Sequence, residues 1–121
     1  MALQNFWIIF FKYHSLNDQK MVIGFAYLSI RCYGSFRSAG YQIVVRDDYQ
    51  NKGVGTILTS HIIHTAKKFR INVIRLSVLT ENTRAIKLYK KFGFVIESHH
   101  ERADVWRGKI SDVYHMALHL S

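Results

Sequence analysis

No proline occurs in these 121 residues. No internal repeat, low-complexity tract or linker breaks the chain either. Nothing therefore marks a domain boundary, and the length suits one domain, residues 1–121, built on one core. Cysteine is nearly absent: Cys32 stands alone, which excludes an internal disulfide and fits a reducing cytoplasm. Long hydrophobic runs are missing too. The longest early one, Phe6 to Phe11, has six residues. It has no basic residues before it and no small-residue cleavage site after it, so it reads as a strand, not as a signal peptide or a membrane span. Acidic residues are scarce, with 8 Asp or Glu against 17 Lys or Arg and a formal net charge of +9.

What is present suits a folded chain: 49% hydrophobic and 21% charged residues is an ordinary globular composition, far from that of a disordered segment. The basic excess is local. From Lys52 to Lys91 there are nine Lys or Arg and one acid, Glu81. Three readings are open for this segment: a small polyanionic ligand such as a nucleotide cofactor, a nucleic acid backbone, or helix faces solvated by their lysines. No interleaving of aromatic and basic residues on a strand supports the nucleic acid, which ranks well below the others.

Hydrophobic periodicity organises the chain as β-β-β-α-β-α-β-β. Phe6 to Tyr13 and Met21 to Arg31 read as strands joined by a polar turn over His14 to Lys20. Tyr41 to Val45, with the β-branched run Ile43-Val44-Val45, is a third. A helix over Val54 to Phe69 carries Val54, Ile57, Leu58, Ile62, Ala66 and Phe69 on one side. Ile71 to Val78 is apolar enough to be a strand covered on both faces. A second helix runs from Thr83 to Phe92, with Asn82 as its N-cap and Gly93 at the left-handed C-terminal position. The tail from Phe94 onward reads as a hairpin turning near Arg107-Gly108. Strands three and four, joined through a helix, are expected to be parallel with a right-handed crossover, in a mixed sheet whose ligand sits at the strand ends.

Between the third strand and the first helix lies Gln50-Asn51-Lys52-Gly53-Val54-Gly55. A strand that turns through two glycines into a helix presents bare backbone N–H groups and a positive helix end, a place to hold a phosphate. A Gly-x-Gly alone carries little weight; the flanking strand and helix give it meaning.

The stretch Val45-Arg46-Asp47-Asp48-Tyr49-Gln50-Asn51-Lys52-Gly53-Val54-Gly55 resembles motif A of the GNAT (Gcn5-related N-acetyltransferase) superfamily, Gln/Arg-x-x-Gly-x-Gly/Ala. Asn82-Thr83-Arg84-Ala85-Ile86-Lys87-Leu88-Tyr89-Lys90-Lys91-Phe92-Gly93-Phe94 resembles its motif B, Asn-x-x-Ala-x-x-Leu-Tyr-x-x-x-Gly-Phe. The tail Gly108 to Met116 is similar to the closing hairpin of that family, and the likeness runs from about Met21 onward. It implies an N-acetyltransferase with a mixed central sheet flanked by helices, using acetyl-CoA and no metal, and acting on a primary amine of a small molecule or a protein N-terminus. The diphosphate of acetyl-CoA would rest on backbone N–H groups of Asn51, Lys52, Gly53, Val54, Gly55 and Thr56, after Gln50. Each helix-end interaction of this kind contributes about 0.3–2 kcal/mol. Ile43, Val44 and Val45 would pair with the pantetheine arm as an added strand does, one backbone N–H meeting the thioester carbonyl. Asn82 would touch the arm where the two parallel strands part, besides capping its helix.

By the same likeness Tyr89 is both a cofactor contact and the general acid toward the departing thiolate, against the plainer reading of a core tyrosine. A phenol near 10 and a thiol near 8.5 make that transfer uphill by about 2 kcal/mol, unless the basic segment lowers the phenol. The base is not defined. Relatives that acetylate ribosomal-protein N-termini carry Glu twelve residues before the Tyr, where this chain has Ser77. Glu97, His99, Glu101, His115 or a water chain remain. A lysine-like amine needs about 4.6 kcal/mol to lose its proton at pH 7, an α-amine only about 1, which favours α-amines. His61 and His64 on a helix and His99-His100 on a strand lack Cys or carboxylates at ligand spacing, so no metal site is expected.

The chain departs from the pattern in two places. Asp47 stands where the family often has Pro. In addition, Met1 leads almost directly into the first strand, where the family usually places one or two helices over the acceptor side. An open apolar face is then expected, covered in a homodimer or left as an exposed acceptor cleft. The alternative to an active enzyme is a truncated or degenerate CoA-binding member without acceptor chemistry.

Overall fold

A computed structural model describes residues 4–16, 19–106 and 108–120. The elements are β1 (Gln4–Leu16), β2 (Gln19–Tyr33), β3 (Phe36–Val45), a short 3-10 turn (Asp47–Tyr49), α1 (Val54–Lys68), β4 (Val73–Leu79), α2 (Thr83–Lys91), β5 (Val95–Trp106) and β6 (Lys109–His119). Their order is the expected β-β-β-α-β-α-β-β. Six strands form one sheet in the order β1-β2-β3-β4-β6-β5.

Side-chain alternation divides the sheet into two faces. One row faces the core: Ala26, Leu28 and Ile30 of β2, Ala39 and Tyr41 of β3, Ile74, Leu76 and Val78 of β4, and Met116 of β6. Helix α1 lays Val54, Leu58, Ile62 and Ala66 on this row, and α2 adds Ile86 and Tyr89. Burying each large aliphatic side chain stabilises the fold by about 1.5–3 kcal/mol. Phe69 is the C-terminal cap of α1 and stays exposed, not a member of the packing face. The opposite row carries Ile9, Phe11, Tyr13 and Val44, each 45–52% exposed.

Both helix ends follow their local signals. The Asn82 side chain accepts a hydrogen bond from the Ala85 N–H at 3.2 Å, and Gly93 follows α2 with φ of 99°. Strand ends depart from expectation. β3 begins at Phe36, five residues before Tyr41, because Gly34 (φ 63°) turns the chain so that Phe36 to Gly40 pair with Ser29 to Tyr33. His14 to Leu16 and Gln19-Lys20 belong to strands, pairing His14 with Met21 and Leu16 with Gln19. The rest of the expected turn lies outside the described residues, as does Arg107 of the second expected turn. β4 starts at Val73, two residues late, since the Ile71 N–H closes on Ala66 O at 3.0 Å.

The feature that positions the site is the β3–β4 seam. The two strands are parallel, and pair only from Ser38–Val73 to Gly40–Arg75. Beyond that they part, and β4 continues against β6 from Val73–His119 to Leu79–Val113. The edge of β3 from Tyr41 to Val45 is thus paired with β2 alone.

Candidate active site

Two cavities meet at this parting. The larger, about 1050 Å³, is bounded by Gly40 to Ile43 of β3, Arg75 to Leu79 of β4, and Glu97, Ser98 and His115 of the closing hairpin. Asn82 and Tyr89 line it and also line the second cavity, about 420 Å³, beside the glycine turn. Ile43, Asn82 and Tyr89 thus stand between the two cavities.

The turn is built for backbone exposure. Gly53 is the N-cap of α1 in the left-handed region, φ 82°, and no side chain caps the helix. The first helical hydrogen bond there runs from Ile57 N–H to Gly53 O, 3.0 Å, so the preceding N–H groups have no acceptor within the helix. At Gly55 a Cβ would lie 3.3 Å from Leu88 Cδ2 and 3.9 Å from Ile43 Cδ1, so glycine lets α2 and β3 close around the turn. The side chain of Gln50 fixes this loop. Its amide donates to Val45 O at 3.4 Å and Asp47 Oδ1 at 3.3 Å, and its carbonyl accepts from Arg84 Nη1 at 3.2 Å. Asp47, where the family often has Pro, thus stabilises the turn through its carboxylate.

Of the residues expected to hold the cofactor, Ile43, Val45, Gln50, Asn51 and Gly53 line the smaller cavity, together with Gly55, Thr56, Asn82 and Tyr89. Three side chains point elsewhere. Val54 is buried under the sheet, Val44 lies on the open face, and Lys52 sets its ammonium over the Tyr49 ring at 5.2 Å. Sequence reasoning did not single out Arg84, Lys87 and Lys91, which line the same cavity. The signal was the local basic excess, whose helical spacing places these cations on one side of α2.

Tyr89 is 7% exposed, packed edge-on to Tyr41 at 6.2 Å and against Phe94 at 5.7 Å. Burial pushes its phenol up to about 12. The expected lowering by the basic segment does not occur, because aromatic rings, not cations, surround it. Tyr41 is raised further by burial, although its hydroxyl shares a hydrogen bond of 2.8 Å with Thr59 Oγ1.

The four base candidates separate clearly. Glu97 accepts from Arg75 Nε at 3.2 Å and pairs with His119 Nε2 at 3.3 Å, and the Arg75 bond foremost holds its carboxyl below the usual range. His99 is paired with Asp112 at 3.0 Å. Glu101 is exposed on β5 and lines neither cavity. His115 lines the larger cavity directly across from Ser77. Among the described residues no group of three His, Cys, Asp or Glu is arranged to hold a metal ion; His61 stacks on Phe10 at 6.1 Å. No helix among the described residues is long and apolar enough to cross a membrane.

The parted parallel pair and the glycine turn that opens α1 together frame this site. The sequence model of the Acetyltransferase (GNAT) family matches residues 4–94. The chain belongs to the GNAT acetyltransferase family. It is 35% identical over 80 residues to the L-amino acid N-acetyltransferase AaaT of Escherichia coli K12, a match that covers 65% of this chain and 49% of that protein. The fold superposes on a GNAT-family acetyltransferase of Streptococcus pneumoniae with a TM-score of 0.75 and 30% identity, covering 88% of this chain and 64% of that one. It superposes on the putative acetyltransferase yncA of Salmonella typhimurium, solved with its cofactor acetyl-CoA, with a TM-score of 0.71 and 26% identity, covering 83% and 59%. The chain thus spans about half to two thirds of the length of these relatives.

Proposed function

We propose that residues 1–121 act as one N-acetyltransferase domain that transfers the acetyl group of acetyl-CoA to a primary amine by direct attack within a ternary complex. The observation that carries this reading is the free edge of β3 from Tyr41 to Val45, running toward the uncapped start of α1. An acceptor strand of that length suits an extended amide-bearing arm, and the turn suits the diphosphate at its end. Acetyl-CoA supplies the activated acetyl group as a thioester.

In this reading the N–H groups of Asn51, Lys52, Gly53, Val54, Gly55 and Thr56 hold the diphosphate, and Gln50 keeps their loop in place. Ile43, Val44 and Val45 pair with the arm, and one of their N–H groups faces the thioester oxygen. Asn82 contacts the arm while capping α2. Tyr89, neutral at physiological pH, offers its O–H to the sulfur as charge develops there. The cleft beyond Ser77 receives the amine. The low cost of deprotonating an α-amine, about 1 kcal/mol at pH 7, favours that acceptor class in a site with no carboxylate at the Ser77 position.

The test is thiol release from acetyl-CoA in the presence of free L-amino acids, spermidine and a peptide beginning with alanine, with the acetylated product identified by mass spectrometry. Transfer to one of these amines supports the reading. Calorimetric binding of acetyl-CoA without transfer to any of them reduces the chain to a CoA-binding domain. No heat with acetyl-CoA removes the reading altogether.

A further inference from the structure

Resting on that acetyl-transfer reading, we propose that His115 is the base that takes the proton from the attacking amine, in place of a carboxylate on β4. Three placements carry this. β6 sets His115 opposite Ser77 in the β4 ladder and opposite Ser98 in the β5 ladder, so it occupies the far wall of the cleft that Tyr89 lines. Its ring is exposed and has no hydrogen-bond or ion-pair partner among the described residues, whereas His99 and Glu97 are already engaged by Asp112 and Arg75. Its orientation is held from the side by His100, whose ring centroid lies 4.0 Å away with an interplanar angle of 34°. His100 is in turn fixed by Ser98 Oγ, 2.9 Å from its Nε2.

The chemistry balances without another reagent. The imidazole nitrogen of His115 accepts the N–H proton of the amine as the N–C bond to the acetyl carbon forms. The C–S bond breaks with its electron pair leaving on sulfur. The Tyr89 hydroxyl donates a hydrogen bond to the departing sulfur, which takes its proton from water, and the His115 proton returns to solvent through the open cleft. The charged and titratable groups that share the cleft with His115 are Tyr27 and Arg31 of β2, Tyr41 of β3, Arg75 of β4, Tyr89 of α2, and Glu97 and Asp104 of β5, with the His100 ring packed against it. Arg75 and Glu97 are paired with each other.

The experiment compares the wild-type chain with His115→Gln and with His64→Gln, a control on the exposed side of α1. Acetyl-CoA and the panel amine with the fastest wild-type turnover are the substrates. His115→Gln is expected to lower kcat by about 10²–10⁴-fold, to leave the KM for acetyl-CoA within about twofold, and to change the acid-side limb of the kcat–pH profile. His64→Gln is expected to behave as wild type. A His115→Gln profile that keeps the wild-type limb and a kcat within about threefold overturns the assignment. So does a loss of kcat matched by an equal loss of acetyl-CoA affinity in calorimetry. A wild-type chain that binds acetyl-CoA but acetylates no panel amine overturns the assignment together with the transfer reading; the variant outcomes overturn the assignment alone.

Discussion

Replacing Tyr89 by Phe deletes one oxygen from a ring that is 7% exposed and whose titration is governed by burial alone. The aromatic contacts with Tyr41 and Phe94 remain, so the fold is expected to survive unchanged. The catalytic magnitude follows from the mismatch in proton affinity. A phenol raised to about 12 facing a thiol near 8.5 makes complete proton transfer uphill by roughly 4.8 kcal/mol. The hydroxyl therefore acts mainly by hydrogen-bonding to the developing thiolate, an interaction with a charged group contributing about 1.5–3 kcal/mol. At about 1.4 kcal/mol per factor of ten, Tyr89→Phe is expected to lower kcat by about 10- to 150-fold. Thiol release at saturating acetyl-CoA and amine reads kcat, and calorimetry reads an acetyl-CoA affinity within about twofold of wild type. A kcat within about twofold would show that sulfur leaves without help from this ring. A loss seen equally in the affinity would place the hydroxyl in ground-state binding instead.

The same ring predicts an alkaline weakness. Its phenol is about 10 in the unfolded chain and about 12 in the folded one, so the stability linked to it is complete below pH 10 and disappears between pH 10 and pH 12. Chemical denaturation across that range should lose about 3 kcal/mol per such tyrosine, less in Tyr89→Phe, and a flat profile would contradict the burial argument. Gly53→Ala forces a left-handed φ of 82° on a residue with a Cβ that meets nothing within 4 Å. Its cost is therefore backbone strain of about 1–2 kcal/mol, read as a melting temperature lower by several degrees; an unchanged midpoint would mean the turn relaxes. Arg84→Ala removes the bond that steadies Gln50 and one of the cavity's cations. Acetyl-CoA affinity should fall about 3- to 30-fold in low salt, with a smaller gap in high salt. A loss that ignores salt would indicate that only the positioning of Gln50 matters.

The core rows, both helices and the glycine turn could be read from the sequence because each is dictated locally. The Val54-Leu58-Ile62-Ala66 spacing fixes α1, Asn82 and Gly93 bracket α2, and β-branched residues mark β3. What could not be read depends on partners distant in sequence. The start of β3 at Phe36 is set by pairing with β2 across the Gly34-Ser35 turn, a two-residue signal too weak to outweigh the small and polar residues that follow it. The reach of β1 and β2 to Leu16 and Gln19 is settled the same way, by cross-strand hydrogen bonds. In the site, the identities of Tyr89 and Asn82 were legible but their surroundings were not. The basic stretch suggested a lowered phenol, while the fold buries Tyr89 against the rings of Tyr41 and Phe94. The pairing of Glu97 with Arg75 and of His99 with Asp112 likewise joins residues 22 and 13 positions apart, and it sets those two candidate bases apart from His115.

The short Ser38–Gly40 seam has a mechanical consequence. Within the sheet, two blades, β1–β2–β3 and β4–β6–β5, share only one brief ladder at one end. A guest lying along the free β3 rim becomes the missing rung between them. Occupancy should therefore stiffen the blades against each other, and amide protons of Tyr41 to Val45 and Leu76 to Leu79 should exchange more slowly once the guest is seated.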